Sequence, residues 1–165
     1  ILKDGDIVSL DLGVTHNGMI TDAAITVAVG EVSPEIEGLI ADTERALAEG
    51  IKAARVGGRI GDIGSAIERV GNKGGYGIVR ELGGHGVGHA VHEEPYVPNY
   101  GTKGNGPILK PGMVLALEPM FMLGGEEIRL MPDGYTIVTL DGSLSAHFEH
   151  TIVITEDGVE IVTML

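Results

Sequence analysis

The chain has no cysteine, which excludes disulfides and thiolate metal sites and leaves oxygen and imidazole as the only ligands for any metal. Positive charge is also scarce. Eleven Lys and Arg stand against 24 Asp and Glu, a formal net charge of −13, and a phosphate backbone needs the opposite footprint. Nucleic acid is therefore not an expected partner. No apolar run approaches the ~20 residues that a membrane span requires. The start also lacks the basic, apolar, small-residue order of a secretory signal. The expectation is a cytoplasmic protein without a membrane anchor. Twenty-seven glycines and seven prolines follow no repeat period, which suggests many tight turns rather than low complexity. With 165 residues, 43% of them hydrophobic, residues 1–165 are expected to form one domain that buries about 70% of its unfolded surface.

The stretch around which the rest is organised runs Gly83-Gly84-His85-Gly86-Val87-Gly88-His89-Ala90-Val91-His92-Glu93-Glu94-Pro95. Glycine permits close backbone approach, and Pro95 disfavours helical continuation through Glu94. His85 and His92 lie seven apart, close enough to converge on one centre in an ordered loop that leads into a strand. Neutral imidazole is a common ligand for transition metals. A glycine-rich surface loop with solvated histidines has the same composition, so the remainder of the chain must decide.

Residues 6–15 carry β-forming residues in near alternation and predict a strand, His16-Asn17-Gly18 a tight turn, and residues 19–29 a second strand. Asp11 and Asp22 then fall on facing strands, able to project from one face. Aspartate is depleted in strands, and like charges across a ladder repel without a cation. Ser33-Pro34-Glu35 starts a helix expected to reach Arg55, and a shorter helix is expected over 62–71. Both read as packing elements. Residues 76–82 read as a strand, 113–120 as a buried strand ending at Glu118, 128–140 as a hairpin turning at Pro132-Asp133-Gly134, and 145–155 as a last strand containing Glu149. An unpaired carboxylate among apolar neighbours is costly to bury, which makes Glu118 and Glu149 ligand candidates.

Asp11, Asp22, His85, Glu118 and Glu149 together form a hard, oxygen-dominated set suited to Mn, Fe, Co or Zn as divalent ions. Carboxylates also bridge ions. A pair of metals ~3.5–4 Å apart activates water and polarises a carbonyl in many hydrolases, so metal-assisted hydrolysis is the expected chemistry.

These segments resemble the methionine aminopeptidases, peptidases of the M24 family with the pita-bread fold. The resemblance is carried by Asp11 and Asp22 around an Asn-Gly turn, by Gly84-His85-Gly86-Val87-Gly88 and by His92-Glu93-Glu94-Pro95. Lys110-Pro111-Gly112-Met113, Glu118-Pro119-Met120 and Ser145-Ala146-His147-Phe148-Glu149-His150-Thr151 complete it. It implies an α+β fold of two pseudo-symmetric halves, with a curved antiparallel sheet and outer helices. It also implies two divalent ions, with Asp22 and Glu149 bridging, Asp11 completing one site, and His85 with Glu118 completing the other. His92 would donate to the substrate carbonyl, with Val91 beside it in the substrate site, and Glu118 would act as general base. His89, His147 and His150 are expected to be structural and His16 a turn residue.

The implied substrate is the N-terminal methionine of peptides or nascent chains. The family carries a segment before the first ligand strand, supplying much of the methionine pocket and a further substrate-contacting histidine. This chain opens ten residues before Asp11, so the segment is absent from it, which leaves a fragment of a longer enzyme, a naturally short homologue, or a chain that pairs with another copy to rebuild the missing wall. Reduced activity and a homo-oligomer are expected. The rival readings are a proline-selective peptidase of the same fold and a non-catalytic pita-bread binding module.

Overall fold

The computed structural model describes residues 1–164. Strands β1 (Ile7–His16) and β2 (Met19–Ala28) pair antiparallel along their whole length. Asn17 at φ 49° and Gly18 at φ 78° make the two-residue turn, the left-handed conformations that Asn-Gly accepts. Helix α1 (Pro34–Ala53) starts where the Ser33 hydroxyl accepts from the Ile36 N–H at 3.4 Å. Helix α2 (Ile60–Gly74) is longer at both ends than expected. The Arg59 N–H donates to the Asp62 carboxylate at 2.8 Å, which starts the helix early, and Gly75 at φ 74° closes it.

Ten short strands follow. They are β3 (Gly77–Ile78), β4 (Gly84–Gly86), β5 (Glu93–Val97), β6 (Val114–Leu117) and β7 (Met120–Met122), then β8 (Ile128–Leu130), β9 (Ile137–Thr139), β10 (Ser145–His147), β11 (Glu149–Ile154) and β12 (Val159–Ile161). The main sheet runs β1-β2-β11-β6-β4-β5, with β12 also on β11; β10-β7-β3 form a second sheet, and β8-β9 a hairpin. In that hairpin, Asp133 accepts from the Tyr135 and Thr136 N–H groups, holding the expected turn.

Two expected strands are divided. The run 113–120 breaks at Glu118-Pro119, and the run 145–155 breaks at Phe148. Pro119 has no N–H to continue a ladder, and there the chain passes from the main sheet into the smaller one. The return passage at Phe148 is tied to it, since the Phe148 N–H donates to the Pro119 carbonyl at 3.3 Å. The expected strand at 76–82 shrinks to two residues; beyond them the Val79 N–H donates to the Met120 carbonyl at 3.4 Å and the Tyr96 hydroxyl donates to the Arg80 carbonyl at 3.4 Å.

Period-two alternation decides which side of the main sheet is dry. Leu115, Leu117, Ile152 and Ile154 enter one core with Leu39, Leu47, Ile63 and Ile67 of the two helices. Their sequence neighbours Ala116 and Thr151 therefore take the other face, and so does Glu149, two residues before Thr151. On the helix side of β1 and β2, Leu10, Leu12, Val14, Ile25 and Val27 stay exposed.

Candidate metal centre

Strand register alone sets out the site. Asp11 faces Ala24, and Ala24 faces Glu149 on its other side. Thr151 faces Ala116, which faces His85. Asp22, two residues before Ala24, joins this second row through Thr151, whose hydroxyl accepts from the Asp22 N–H at 2.8 Å and donates to the Asp22 carbonyl at 2.7 Å. Residues opposite each other, or two apart on one strand, share a face. Asp11, Asp22, Glu149 and His85 therefore project from one face, spaced by the small side chains Ala24 and Ala116. Glu118 follows Ala116 by two and completes the set at the corner into the smaller sheet.

Side-chain distances match this layout. Ligand atoms of Asp22, His85 and Glu149 all lie within 4.8 Å of one another, and all three residues are buried. The His85 Nδ1–H donates to the Gly86 carbonyl at 2.9 Å, which leaves Nε2 bare, 3.4 Å from Glu118 Oε1. A fixed Nδ1 donor presenting a free Nε2 is the usual state of a ligating imidazole. Asp11 shares the face but is exposed, at the rim rather than within that close group. The His92 ring meets His85 edge-on at 4.5 Å between centroids. His92 and Val91 are exposed on the loop between β4 and β5, which is moored to β2 where the Ile20 N–H donates to the Gly88 carbonyl at 2.7 Å.

The site is electrostatically incomplete by itself. Burial, followed by the charges of Asp11 and Asp22, pushes the Glu118 carboxyl up to about 7. Burial, followed by Glu118, Asp22 and Asp11, pushes Glu149 up to about 9. Among the described residues no Lys or Arg pairs with any of these acids; the arginine and lysine bridges lie elsewhere, as at Arg80–Glu126. Glu149 Oε1 is buried without a hydrogen-bond partner. Crowded carboxylates, a bare imidazole nitrogen and an orphaned oxygen fit a divalent cation, which supplies the missing charge and accepts those lone pairs.

Three supporting residues had no chemical role in the sequence reading. Asn99 is fully buried, and its Nδ2 donates to the Glu118 carbonyl at 3.0 Å. Thr151 holds Asp22 as described. His147, expected to be structural, has its Nε2 3.7 Å from Glu118 Oε2 and 4.0 Å from Glu149 Oε2. Burial lowers the pKa of its imidazole, against the opposing pull of Asp11 and Asp22. Its place two residues before Glu149 was the available signal, although the corner at Phe148 obscured it. His150 points away, its Nδ1 2.9 Å from the Thr163 hydroxyl, and His16 Nε2 lies 3.0 Å from Asn17 Nδ2 at the hairpin tip.

Known proteins resemble this chain in sequence and fold. A methionine aminopeptidase of Clostridium perfringens is 49% identical over 164 residues, spanning 99% of this chain and 66% of that protein. The crystal structure of methionine aminopeptidase from Thermotoga maritima matches at TM-score 0.97 and 45% identity, over 100% of this chain and 66% of that one. A dipeptidase from Pyrococcus horikoshii matches at TM-score 0.77 and 29% identity, over 99% of this chain and 40% of that one. The chain thus spans about two thirds of the length of the methionine aminopeptidases it matches. The α+β pita-bread architecture expected from the motifs is the fold of these neighbours. The profile of metallopeptidase family M24 matches residues 1–156, and the chain belongs to that family.

Proposed function

We propose that residues 1–165 form the catalytic domain of a methionine aminopeptidase, hydrolysing the peptide bond after an N-terminal methionine. The observation that carries this reading is the convergence of Asp22, His85 and Glu149, with Glu118 against His85, in a chain 49% identical to a methionine aminopeptidase. The lower identity of 25% to a prolidase from Pyrococcus furiosus favours it over a proline-selective relative, which would use the same acids.

Asp22 and Glu149 would bridge two divalent ions of cobalt, manganese, iron or zinc, with Asp11 completing one site and His85 with Glu118 the other. When bound, such ions supply Lewis-acid activation of water and of the scissile carbonyl. Glu118, with its Oε1 3.4 Å from the His85 ring nitrogen, would take and return the proton as general base. His92 at the mouth would donate to the carbonyl oxygen as charge develops there, with Val91 beside it against the substrate. No described helix is long and apolar enough to cross a membrane, which is compatible with action on nascent chains in the cytoplasm. The exposed Leu10, Leu12, Val14, Ile25 and Val27 would favour a homo-oligomer; light scattering across a wide concentration range should show mass rising above one chain.

The test is release of free methionine from Met-Gly-Ser by this chain loaded anaerobically with Mn²⁺ or Co²⁺, beside Glu118→Ala. Turnover in the parent and its loss in the variant are expected. Metal uptake without turnover would leave the metal centre in place and point either to a substrate site that these residues do not complete or to a metal-binding module on the same fold.

A further inference from the structure

His147 sits just before the Phe148 corner, the last residue of β10, and its main chain is held from both sides. The Thr26 hydroxyl donates to the His147 carbonyl at 2.8 Å and accepts from the His147 N–H at 2.8 Å. On the opposite edge His147 pairs with Met120 in the ladder to β7. Thr26 is braced in turn by Ser9, with the two hydroxyl oxygens 2.8 Å apart. A backbone fixed in this way aims the ring at one place. The ring nitrogen Nε2 is buried, has no hydrogen-bond partner, and faces Glu118 Oε2 and Glu149 Oε2 at 3.7 and 4.0 Å.

The two oxygens of Glu118 thus look at two different imidazoles. Oε1 faces His85, whose proton is committed at Nδ1, so Nε2 of His85 carries a lone pair toward the centre. Oε2 faces His147, where two carboxylate oxygens converge on one nitrogen. Carboxylates that hold a cation are ionised and accept without donating, so in the metal-bound centre the complementary tautomer at His147 carries its proton on Nε2. The separation exceeds a hydrogen bond of ~2.9 Å by less than ~1.2 Å, within reach of rotation about the broad terminal torsion of a glutamate.

We propose that His147 is a positioning residue for the metal centre, an N–H donor that fixes the orientation of the Glu118 and Glu149 carboxylates without itself binding the ion. The inference rests on the metal-centre reading given above. Donors that orient ligating carboxylates shape metal affinity even though they never touch the metal. Two other roles are possible for a buried imidazole in this position, a space-filling side chain or a sixth ligand, and substitutions separate all three. Glutamine keeps an N–H donor of similar reach, while leucine fills the space and donates nothing.

The experiment titrates the full 165-residue parent, His147→Gln and His147→Leu with Co²⁺ under anaerobic conditions, by calorimetry and visible absorption. Urea unfolding of each metal-free protein runs alongside. The expected result is that His147→Gln binds Co²⁺ within about 3-fold of the parent with the same absorption bands. His147→Leu should bind about 10–100-fold more weakly without a lower urea midpoint. Parent-like Co²⁺ binding by His147→Leu would overturn the proposal in favour of space filling. Changed bands and leucine-like weakening in His147→Gln would overturn it in favour of direct ligation. If His147→Leu does not fold, His147→Met serves the same comparison. A parent that takes up no Co²⁺ sinks the metal-centre reading and this inference with it, whereas a parent that binds normally isolates the question to His147.

Discussion

At the scale of single residues, the acids were legible in the sequence because burying them is expensive, and their supports were not. Asp22 and Glu149 stand in strands where an unpaired carboxylate has no packing value, and both prove buried. Thr151 and Thr26 look ordinary in a strand, since β-branched residues belong there. Only the register shows that Thr151 stands in for a missing ladder bond, its hydroxyl serving both the N–H and the carbonyl of Asp22. Thr151→Val keeps shape and burial but orphans both groups, and leaving buried polar atoms unpaired costs about 1–3 kcal/mol. Urea unfolding should show a loss of that order, together with weaker metal binding because Asp22 is released. Thr151→Ser should retain most of both properties. A valine variant as stable as the parent would mean that water meets the Asp22 backbone and that the hydroxyl is incidental.

At the scale of elements, the glycines flanking His85 were correctly singled out, but for a different reason. From sequence alone they are expected to admit backbone close to whatever the imidazoles hold. In the fold they admit one strand between two others. β4 lies between β6 and β5, where a Cβ at Gly84 would collide with the Ala116 carbonyl and one at Gly86 with the Glu94 carbonyl. Neither partner is the end of a flexible side chain, so the strands themselves would have to part. Gly86→Ala should therefore destabilise the chain by about 1–3 kcal/mol, as overpacking does, and lower Co²⁺ affinity by displacing His85. Calorimetric titration and urea unfolding measured together would show both; loss of stability with unchanged affinity would mean that His85 keeps its place while the strand shifts. The divided strands at Glu118-Pro119 and Phe148 mark the limit of local reading. Each looks continuous because apolar runs report burial, whereas the switch between sheets depends on partners distant in sequence, such as Phe148 with Pro119. That switch is what sets Glu118 and Glu149 beside each other.

For the whole molecule, a net charge of −13 and a buried acidic centre tie stability to both pH and metal. Without an ion, the folded-state carboxyls of Glu118 and Glu149 titrate at about 7 and about 9, above the ordinary 4.5. A carboxyl with a raised folded pKa binds more protons in the folded state, so stability falls as pH rises from the unfolded pKa through the folded one. Below about pH 4.5 these two groups cost nothing, and the loss accumulates between about pH 5 and 9. A divalent ion replaces those protons, so its affinity must rise across the same window. Binding to the folded state alone adds about 2.7 kcal/mol at a free-ion concentration 100 times Kd. The rise in melting temperature on adding a fixed Mn²⁺ concentration should therefore be larger at pH 8 than at pH 5.5. Self-repulsion among the remaining surface acids changes with pH whether or not the ion is present, so the difference between loaded and metal-free melts removes it. Glu149→Gln, which cannot ionise, should flatten that difference along with weakening the binding. An Mn²⁺ increment that stays constant from pH 5.5 to 8 in the parent would place the ion away from Glu118 and Glu149 and separate the acidic centre from metal binding.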